Sequence, residues 1–218
     1  LMGLGALPSA HPLAMGMLGM HAARCTNMAL EECDLIIAAG VRFDDRATGR
    51  VAEFCPKAQI IHIDIDPSEL DKIKWAHIGI VGDVREVIES LVSLVRADKR
   101  RGWMDRVRSL KRHFPLALPG GDDLNTGYGL VLGAAMHLPD DAFIATDVGQ
   151  HQMRAAQAFP FTGPRRWLTS GGLGTMGFGV PAAIGAALAN PDKKVVCFSG
   201  DGSLLMNIQE LATAVEQK

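Results

Sequence analysis

One short apolar run sets the fold that we expect for this chain. Residues 194–203 read Lys-Val-Val-Cys-Phe-Ser-Gly-Asp-Gly-Ser, so an uninterrupted apolar stretch leads to an aspartate between two glycines. Runs of this kind are typical of parallel strands that are buried on both faces. A helical pattern follows from Ser203. The run therefore predicts a buried strand that delivers Asp201 to the start of a helix.

The same alternation of strand and helix extends over the rest of the chain. Strands are predicted at 34–40, 59–64, 142–146, 166–169 and 194–198, and helices at 84–95, 103–114, 127–138, 150–159, 175–189 and from 203 onward. The expected helix caps are Asp83 and either Asn125 or Thr126. This order predicts an α/β fold with two open, mainly parallel sheets covered by helices. Ligands in such folds bind beyond the carboxyl ends of the strands.

A change in composition predicts how the chain is divided. Lys, Arg, Pro and Gly predominate between residues 98 and 123. We therefore expect one domain over residues 1–96, a connector with one helix over 97–124, and a second domain over 125–218. The chain opens at Leu1 and closes within a helical pattern, which leads us to expect that both ends are truncated.

Composition and charge exclude several classes of protein. Of 218 residues, 48% are hydrophobic, which is ample for a packed core and argues against disorder. The 22 Lys and Arg residues against 24 Asp and Glu residues lack the basic excess of a nucleic-acid binder. The longest small-apolar stretch, 180–189, is too short to cross a bilayer. Four cysteines without a CxxC pair indicate reduced thiols, and we expect a cytoplasmic protein.

Two strand ends in the second half predict contacts to phosphate and a cation. Asp201 offers a hard oxygen ligand, and its flanking glycines let the backbone approach a diphosphate; the alternative is that Asp201 only caps a helix. The strand at 142–146 ends in Asp147-Val-Gly-Gln-His151, a second plausible phosphate loop. A histidine such as His151 is, taken alone, more often a satisfied surface residue.

A glycine loop lies between these two strand ends. Gly172, Gly174 and Gly177 match the GxGxxG pattern, and a helix follows. A dinucleotide site would also need an acidic residue about 20 positions on, at the end of the next strand. Asp192 lies instead in the turn before that strand. We therefore favour a close-packed loop around another ligand.

Charged residues in the first half allow two interpretations of equal weight. Strand ends carry Gly40-Val-Arg-Phe-Asp-Asp-Arg46 and Asp64-Ile-Asp66, and Leu18-Gly-Met-His21 precedes them. An acidic strand end suits a ribose hydroxyl, and arginines suit a phosphate or carboxylate. The alternative is a salt-bridge network among Arg42, Asp44, Asp45 and Arg46.

These segments together resemble one known family. Met17–His21, Gly40–Arg46, Asp147–His151, Leu168–Gly179 and Gly200–Ser203 are similar, in order over essentially the whole chain, to the large catalytic subunits of the acetolactate (acetohydroxyacid) synthases. The resemblance implies a thiamine diphosphate- and Mg²⁺-dependent enzyme of branched-chain amino-acid biosynthesis. Such an enzyme decarboxylates pyruvate and condenses the product with pyruvate or 2-ketobutyrate. It also implies FAD without a redox role, a homodimer or tetramer, and a regulatory small subunit.

The resemblance also assigns roles to individual residues. It implies that Asp201 binds Mg²⁺, that Met176 holds the V-shaped conformer of thiamine, and that Arg46 receives the carboxylate of the second keto acid. The residues that it implies for thiamine diphosphate are Val148, Gly149, Gln150, His151, Gly174, Met176, Gly202 and Ser203. Those that it implies for FAD are Leu1, Met2, Leu18, Gly19, Met20, His21, Gly40, Val41, Arg42, Asp44, Asp64, Ile65, Asp83 and Val84.

The sequence also departs from the family pattern. Val41 stands where the family usually has Ala, and Ala22 where Gly is frequent. The family's catalytic glutamate belongs to an N-terminal domain that we expect to be missing, and the second Mg²⁺ ligand would follow Lys218. We therefore expect the chain to be inactive alone. The alternatives are another thiamine diphosphate carboligase or decarboxylase, such as glyoxylate carboligase, and a non-catalytic cofactor-binding module.

Overall fold

The computed structural model describes residues 1–217 and divides into two compact units. The first unit consists of residues 1–17 together with the chain from residue 117 onward, and the second is Leu18–Leu116. No helix within residues 1–217 has the length and apolar character that a membrane span requires. The domain bounds expected from composition stay a prediction.

The second unit is built on a three-stranded parallel sheet. Its strands are β1 (Leu35–Ala39), β2 (Gln59–Asp64) and β3 (Ile78–Val81), in the order β1-β2-β3. The predicted strands at 34–40 and 59–64 are confirmed. The short strand β3 was not predicted, because its four residues, Ile-Gly-Ile-Val, are too few to show a period of their own. Its place is set by pairing, which puts Ile78 opposite Ile61.

Four α-helices accompany this sheet: α1 (Arg24–Glu32), α2 (Asp45–Thr48), α3 (Val84–Leu94) and α4 (Arg101–His113). Asp83 caps α3 as predicted, since its side chain accepts hydrogen bonds from the next turn. Helix α4, predicted within the connector, packs on α1. Val107 and Leu110 of α4 are buried, and Arg106 donates two hydrogen bonds to Glu32, at 2.7 and 2.5 Å.

The first unit contains a second parallel sheet. Its strands are β4 (Phe143–Thr146), β5 (Trp167–Thr169) and β6 (Val195–Phe198), in the order β5-β4-β6. Its helices are α5 (Gly127–Met136), α6 (Gln150–Ala158), α7 (Gly179–Ala189), α8 (Asp201–Met206) and α9 (Glu210–Gln217). The core around central strand β4 includes Ile144, Ala155, Phe161 and Trp167. The predicted α/β fold with two parallel sheets is confirmed.

Two predicted helix bounds in this unit were wrong. Helix α7 begins at Gly179 and not at Thr175, because Gly174 and Gly177 have φ of +66° and +85°, outside the right-handed helical region. The helix expected from Ser203 onward begins at Asp201 and stops after Met206. It stops there because Asn207 leaves the helical conformation and donates a hydrogen bond to Gly177 O at 2.7 Å. The chain resumes a helix as α9.

Candidate cofactor site

The carboxyl ends of β4 and β6 lie side by side in the first unit. The two strands run parallel, with Thr146 opposite Phe198. The loop at 148–151 follows β4, and the segment 199–203 follows β6. The parallel register therefore brings together two of the segments that the sequence predicted at strand ends.

Asp147 joins these ends to the start of α7. Its side chain is fully buried, with 0% exposure. One carboxylate oxygen accepts a hydrogen bond from Gly179 N–H at 2.9 Å, and the other accepts one from Ser199 Oγ at 2.6 Å. Sequence reasoning assigned no role to Asp147. The signal that could have identified it is its position directly after a buried strand.

His151 packs against the backbone of two glycines. A Cβ added to Gly149 would lie 2.9 Å from the ring of His151, and one added to Gly200 would lie 3.1 Å from it. The ring therefore lies between the loops that follow β4 and β6. Its Nε2 is buried and has no hydrogen-bond partner in the structure. Burial lowers the pKa of His151, and the nearby Asp147 opposes that shift in part.

The glycine loop at 171–179 lies next to both strand ends. The Cβ position of Gly174 is 3.7 Å from Val148 Cγ1, and that of Gly202 is 3.6 Å from Met176 Cε. Met176 is 40% exposed, so part of this residue is open to a ligand. The structure thus gathers the three segments 148–151, 174–176 and 200–203.

Asp201 and Ser203 differ in their exposure within α8. Asp201 is the first residue of the helix and is exposed, whereas Ser203 is buried. Within residues 1–217, no group of three or more His, Cys, Asp or Glu side chains could hold a metal ion. The exposed carboxylate of Asp201 can supply one oxygen ligand to a cation.

A second set of predicted residues gathers in the other unit, at the carboxyl edge of its sheet. Gly40 follows β1 and donates a hydrogen bond to Ile63 O at 2.8 Å. Gly82, just before Asp83, donates one to Asp64 O at 2.9 Å. The predicted residues Gly40, Asp64 and Asp83 thus share one edge of the sheet.

The predicted segment 18–21 packs on α2. A Cβ on Gly19 would overlap Arg46 O and lie 2.5 Å from Ala47 O. Asn27 fixes the same turn, because its side chain exchanges hydrogen bonds of 2.9 Å with Gly19 N–H and O. Residues 18–21 and 44–46 are therefore neighbours, as a shared ligand would require.

The alternative interpretation expected ion pairs among the charged residues around α2, and two such pairs are present. Arg42 Nε lies 3.7 Å from Asp44, and Arg46 Nε lies 3.8 Å from Asp45. Asp44 additionally caps α2. Both pairs are long and largely exposed, so they hold the guanidinium groups weakly. The Arg46 side chain, 67% exposed, remains open to an anion.

The remaining predicted residues are placed as follows. Leu1 and Met2 belong to the first unit, where both approach Gly171. Ile65 is exposed beyond β2, and Val84 opens α3. Sequence reasoning missed His62, which is fully buried, makes no hydrogen bond through either ring nitrogen, and has its Nε2 3.9 Å from Asp64 Oδ2.

Two family models match this chain. Residues 1–91 match the central domain of the thiamine pyrophosphate enzymes, and residues 147–218 match their C-terminal TPP binding domain. The second match covers all three segments that surround His151 and Met176. The chain therefore belongs to the thiamine pyrophosphate enzymes.

Three similar proteins from different organisms are named acetolactate synthases. The acetolactate synthase isozyme 1 large subunit of Escherichia coli (strain K12) is 60% identical over 218 residues, which are 100% of this chain and 39% of that protein. The acetolactate synthase large subunit of Parasynechococcus marenigrum (strain WH8102) is 47% identical, over 98% of this chain and 35% of that protein. Acetolactate synthase 2, chloroplastic, of Zea mays is 46% identical, over 97% of this chain and 34% of that protein. The chain is a homologue of acetolactate synthase large subunits and spans less than half of their length.

Proposed function

We propose that this chain is part of an acetolactate synthase catalytic subunit. The parent enzyme would decarboxylate pyruvate and condense the product with pyruvate or 2-ketobutyrate, in branched-chain amino-acid biosynthesis. The observation that carries the proposal is the meeting of segments 148–151, 174–176 and 200–203 at one sheet edge. The names of the relatives do not favour glyoxylate carboligase or another carboligase.

Features of this edge fit thiamine diphosphate. Gly149 and Gly202 offer backbone without side chains, which lets phosphate groups approach their N–H groups. The orphaned Nε2 of His151 offers one hydrogen bond to a polar ligand. Met176 offers an apolar surface near Gly202. Thiamine diphosphate, when bound, supplies the electron sink for the carbanion left by decarboxylation.

We assign the protein's part in this chemistry to binding and orientation. Val148, Gly149, Gln150 and His151 would hold one side of the diphosphate, and Gly202 and Ser203 the other. Asp201 would hold Mg²⁺, a hard cation that prefers carboxylate oxygen. Gly174 would contact the pyrimidine, and Met176 would support the bent conformation of the thiamine.

We propose that the second unit binds FAD without redox use. The segments 18–21, 40–42, 64–65 and 83–84 with Asp44 would line its site. Arg46 would receive the carboxylate of the second keto acid, because its guanidinium is largely exposed and only weakly held by Asp45. We further propose a cytoplasmic homodimer or tetramer with a regulatory small subunit, and no nucleic-acid or membrane partner.

Calorimetry with thiamine diphosphate and Mg²⁺ tests the first site. The 218-residue chain should bind the pair, and Asp201→Ala should weaken binding by about tenfold or more, because a charged ligand contributes about 1.5–3 kcal/mol. Asp192→Ala, an exposed aspartate in the turn before β6, is the matched control and should bind like the parent. Equal affinities for the two variants would reject Asp201 as the ligand.

Flavin absorbance after purification tests the second site. Gly19→Ala should lower the flavin content, because its Cβ would displace residues 46 and 47. Gly49→Ala also places alanine at positive φ, +60°, but in open space, and should keep flavin. If the chain bound neither flavin nor thiamine diphosphate, the only interpretation left would be a structural module without cofactors. Acetolactate formed from pyruvate by the 218-residue chain alone would contradict the expectation that this chain is inactive by itself.

A further inference from the structure

His62, in the middle of β2, is a buried polar side chain to which no cofactor contact has been assigned. It is 0% exposed, and neither Nδ1 nor Nε2 of its ring makes a hydrogen bond. Buried polar groups in native proteins nearly always have hydrogen-bond partners, and each exception needs a physical explanation. The surroundings of this ring provide one.

The residues around His62 fix the position of its ring. In the register of the parallel strands, His62 lies opposite Ala38 of β1 and Gly79 of β3. Both neighbours are small, so they leave space beside the imidazole on that face of the sheet. The Phe43 ring packs edge-on against it, with 5.1 Å between ring centres and 78° between ring planes. The imidazole is therefore held by packing.

The carboxylate of Asp64 lies next to this ring. Residues two positions apart on a strand project from the same face, and His62 Nε2 lies 3.9 Å from Asp64 Oδ2. The other oxygen, Oδ1, accepts a hydrogen bond from Asp66 N–H at 2.9 Å. A shift of about 1 Å would bring Nε2 and Oδ2 to hydrogen-bond distance. The ring thus lies on the one side of the carboxylate, and the backbone of residue 66 holds the other oxygen.

The pair lies at the edge of the sheet where a nucleotide is expected. Asp64 ends β2, and its carbonyl oxygen accepts a hydrogen bond from Gly82 N–H at 2.9 Å. The Asp64 side chain is 12% exposed, whereas that of His62 is 0% exposed. A ligand can therefore reach the carboxylate but not the imidazole. An acidic residue at the end of such a strand is the usual partner of a ribose hydroxyl.

We propose that His62 is a positioning residue for Asp64. Its Nε2–H donates to Oδ2 when a ribose hydroxyl binds the same carboxylate, and this fixes the orientation of the carboxylate. Asp66 N–H on Oδ1 and His62 on Oδ2 would leave the outward lone pairs for the ligand. The inference rests on the proposed function, because FAD is the ligand that brings a ribose to this edge.

NMR of the ring nitrogens tests the pairing in the chain without a ligand. The 218-residue chain is labelled in its histidine rings, and His62→Gln identifies the His62 signals by their loss. We expect a proton on Nε2, and we expect Asp64→Asn to shift the Nε2 signal. Asp34→Asn, an exposed aspartate before β1, is the control and should leave this signal unchanged. A ring protonated on Nδ1 alone, or a signal that ignores Asp64→Asn, would overturn the proposal.

Titration with FAD, followed by flavin fluorescence, tests the consequence for the ligand. His62→Leu removes the donor and should weaken FAD binding about tenfold. His62→Gln can place an amide N–H near the position of Nε2 and should recover most of that loss. Both variants remove the ring that contacts Phe43, so equal losses would indicate packing alone and would overturn the proposal, as would unchanged binding by His62→Leu. His113→Leu, an exposed histidine of α4, is the control and should bind like the parent.

The two measurements distinguish this inference from the proposed function. If the parent chain binds no FAD, the proposed flavin site fails, whereas the ring signals and their response to Asp64→Asn still decide whether His62 holds Asp64. If urea unfolding shows that His62→Leu does not fold, His62→Asn replaces it. The shorter amide of that variant reproduces the position of Nδ1 and not that of Nε2, so it should weaken FAD binding where His62→Gln does not.

Discussion

The carboxylate of Asp147 accepts a hydrogen bond of 2.9 Å from the backbone N–H of Gly179, the first residue of α7. Its other oxygen accepts one from Ser199, just past β6. One buried carboxylate therefore ties together the end of β4, the end of β6 and the helix that follows the glycine loop. The three candidate cofactor segments adjoin these points, so their spacing depends on Asp147.

Removing this carboxylate should destabilise the first unit. Asp147→Ala leaves Gly179 N–H and Ser199 Oγ without their partner, and hydrogen bonds to charged groups contribute about 1.5–3 kcal/mol each. We expect the free energy of unfolding, measured in urea, to fall by about 3 kcal/mol or more. Asp147→Asn keeps one acceptor and should lose less. Asp192 is exposed, so the control variant Asp192→Ala should change the free energy of unfolding by under about 0.5 kcal/mol. Equal losses in all three variants would contradict the stabilising role of the Asp147 carboxylate.

The glycine side of the same contact gives a second prediction. A Cβ on Gly179 would lie 2.6 Å from Asp147 N and 2.8 Å from its Oδ2, so Gly179→Ala must move α7 or the end of β4. Overpacking of this kind costs about 1–3 kcal/mol. Gly185→Ala, in the same helix with open space around it, should stabilise by about 0.5–1 kcal/mol. Thermal unfolding of both variants measures the difference, and the same sign for both would refute the packing argument.

Much of the fold could be predicted from local pattern. The strands at 34–40, 59–64 and 194–198 are short apolar runs with turn residues after them, and burial on both faces produces such runs. Strand β3 and helix α1 escaped prediction, because their positions are set by packing on neighbours more than by their own periodicity. Helix α7 was predicted to begin too early, since the pattern did not show that Gly177 has positive φ.

The candidate site was predictable in part for the same reason. A parallel sheet places the carboxyl ends of neighbouring strands at one edge. The sequence could therefore predict that residues 148–151 and 200–203 lie close together. The role of Asp147 is a contact with a residue 32 positions away, and no local pattern encodes it. The burial of His62 likewise depends on contacts with residues such as Phe43, whose ring centre lies 5.1 Å from that of His62.

Helix α4 provides a test of whether the segment expected as a connector belongs to the folded second unit. Leu110 is 1% exposed, and Leu→Ala at such sites costs about 2–5 kcal/mol. Leu110→Ala should therefore lower the free energy of unfolding by about 3 kcal/mol. Leu116→Ala, at 37% exposure, should cost under about 1 kcal/mol. If Leu110→Ala unfolds like the parent in urea, α4 does not contribute to the core.

His151 should make the stability of the first unit depend on pH. Burial lowers its pKa below the ordinary 6.5, so the unfolded chain takes up a proton at higher pH than the folded chain. The neutral ring therefore contributes its full stability above pH 6.5, and that contribution is lost as the pH falls toward the lowered pKa. Urea midpoints between about pH 5.5 and 7.5 should fall on acidification, and His151→Gln should flatten this part of the curve. His137→Gln, which changes an exposed histidine of the same unit, is the control and should keep the parent's slope. A slope that survives His151→Gln would assign the dependence to another group.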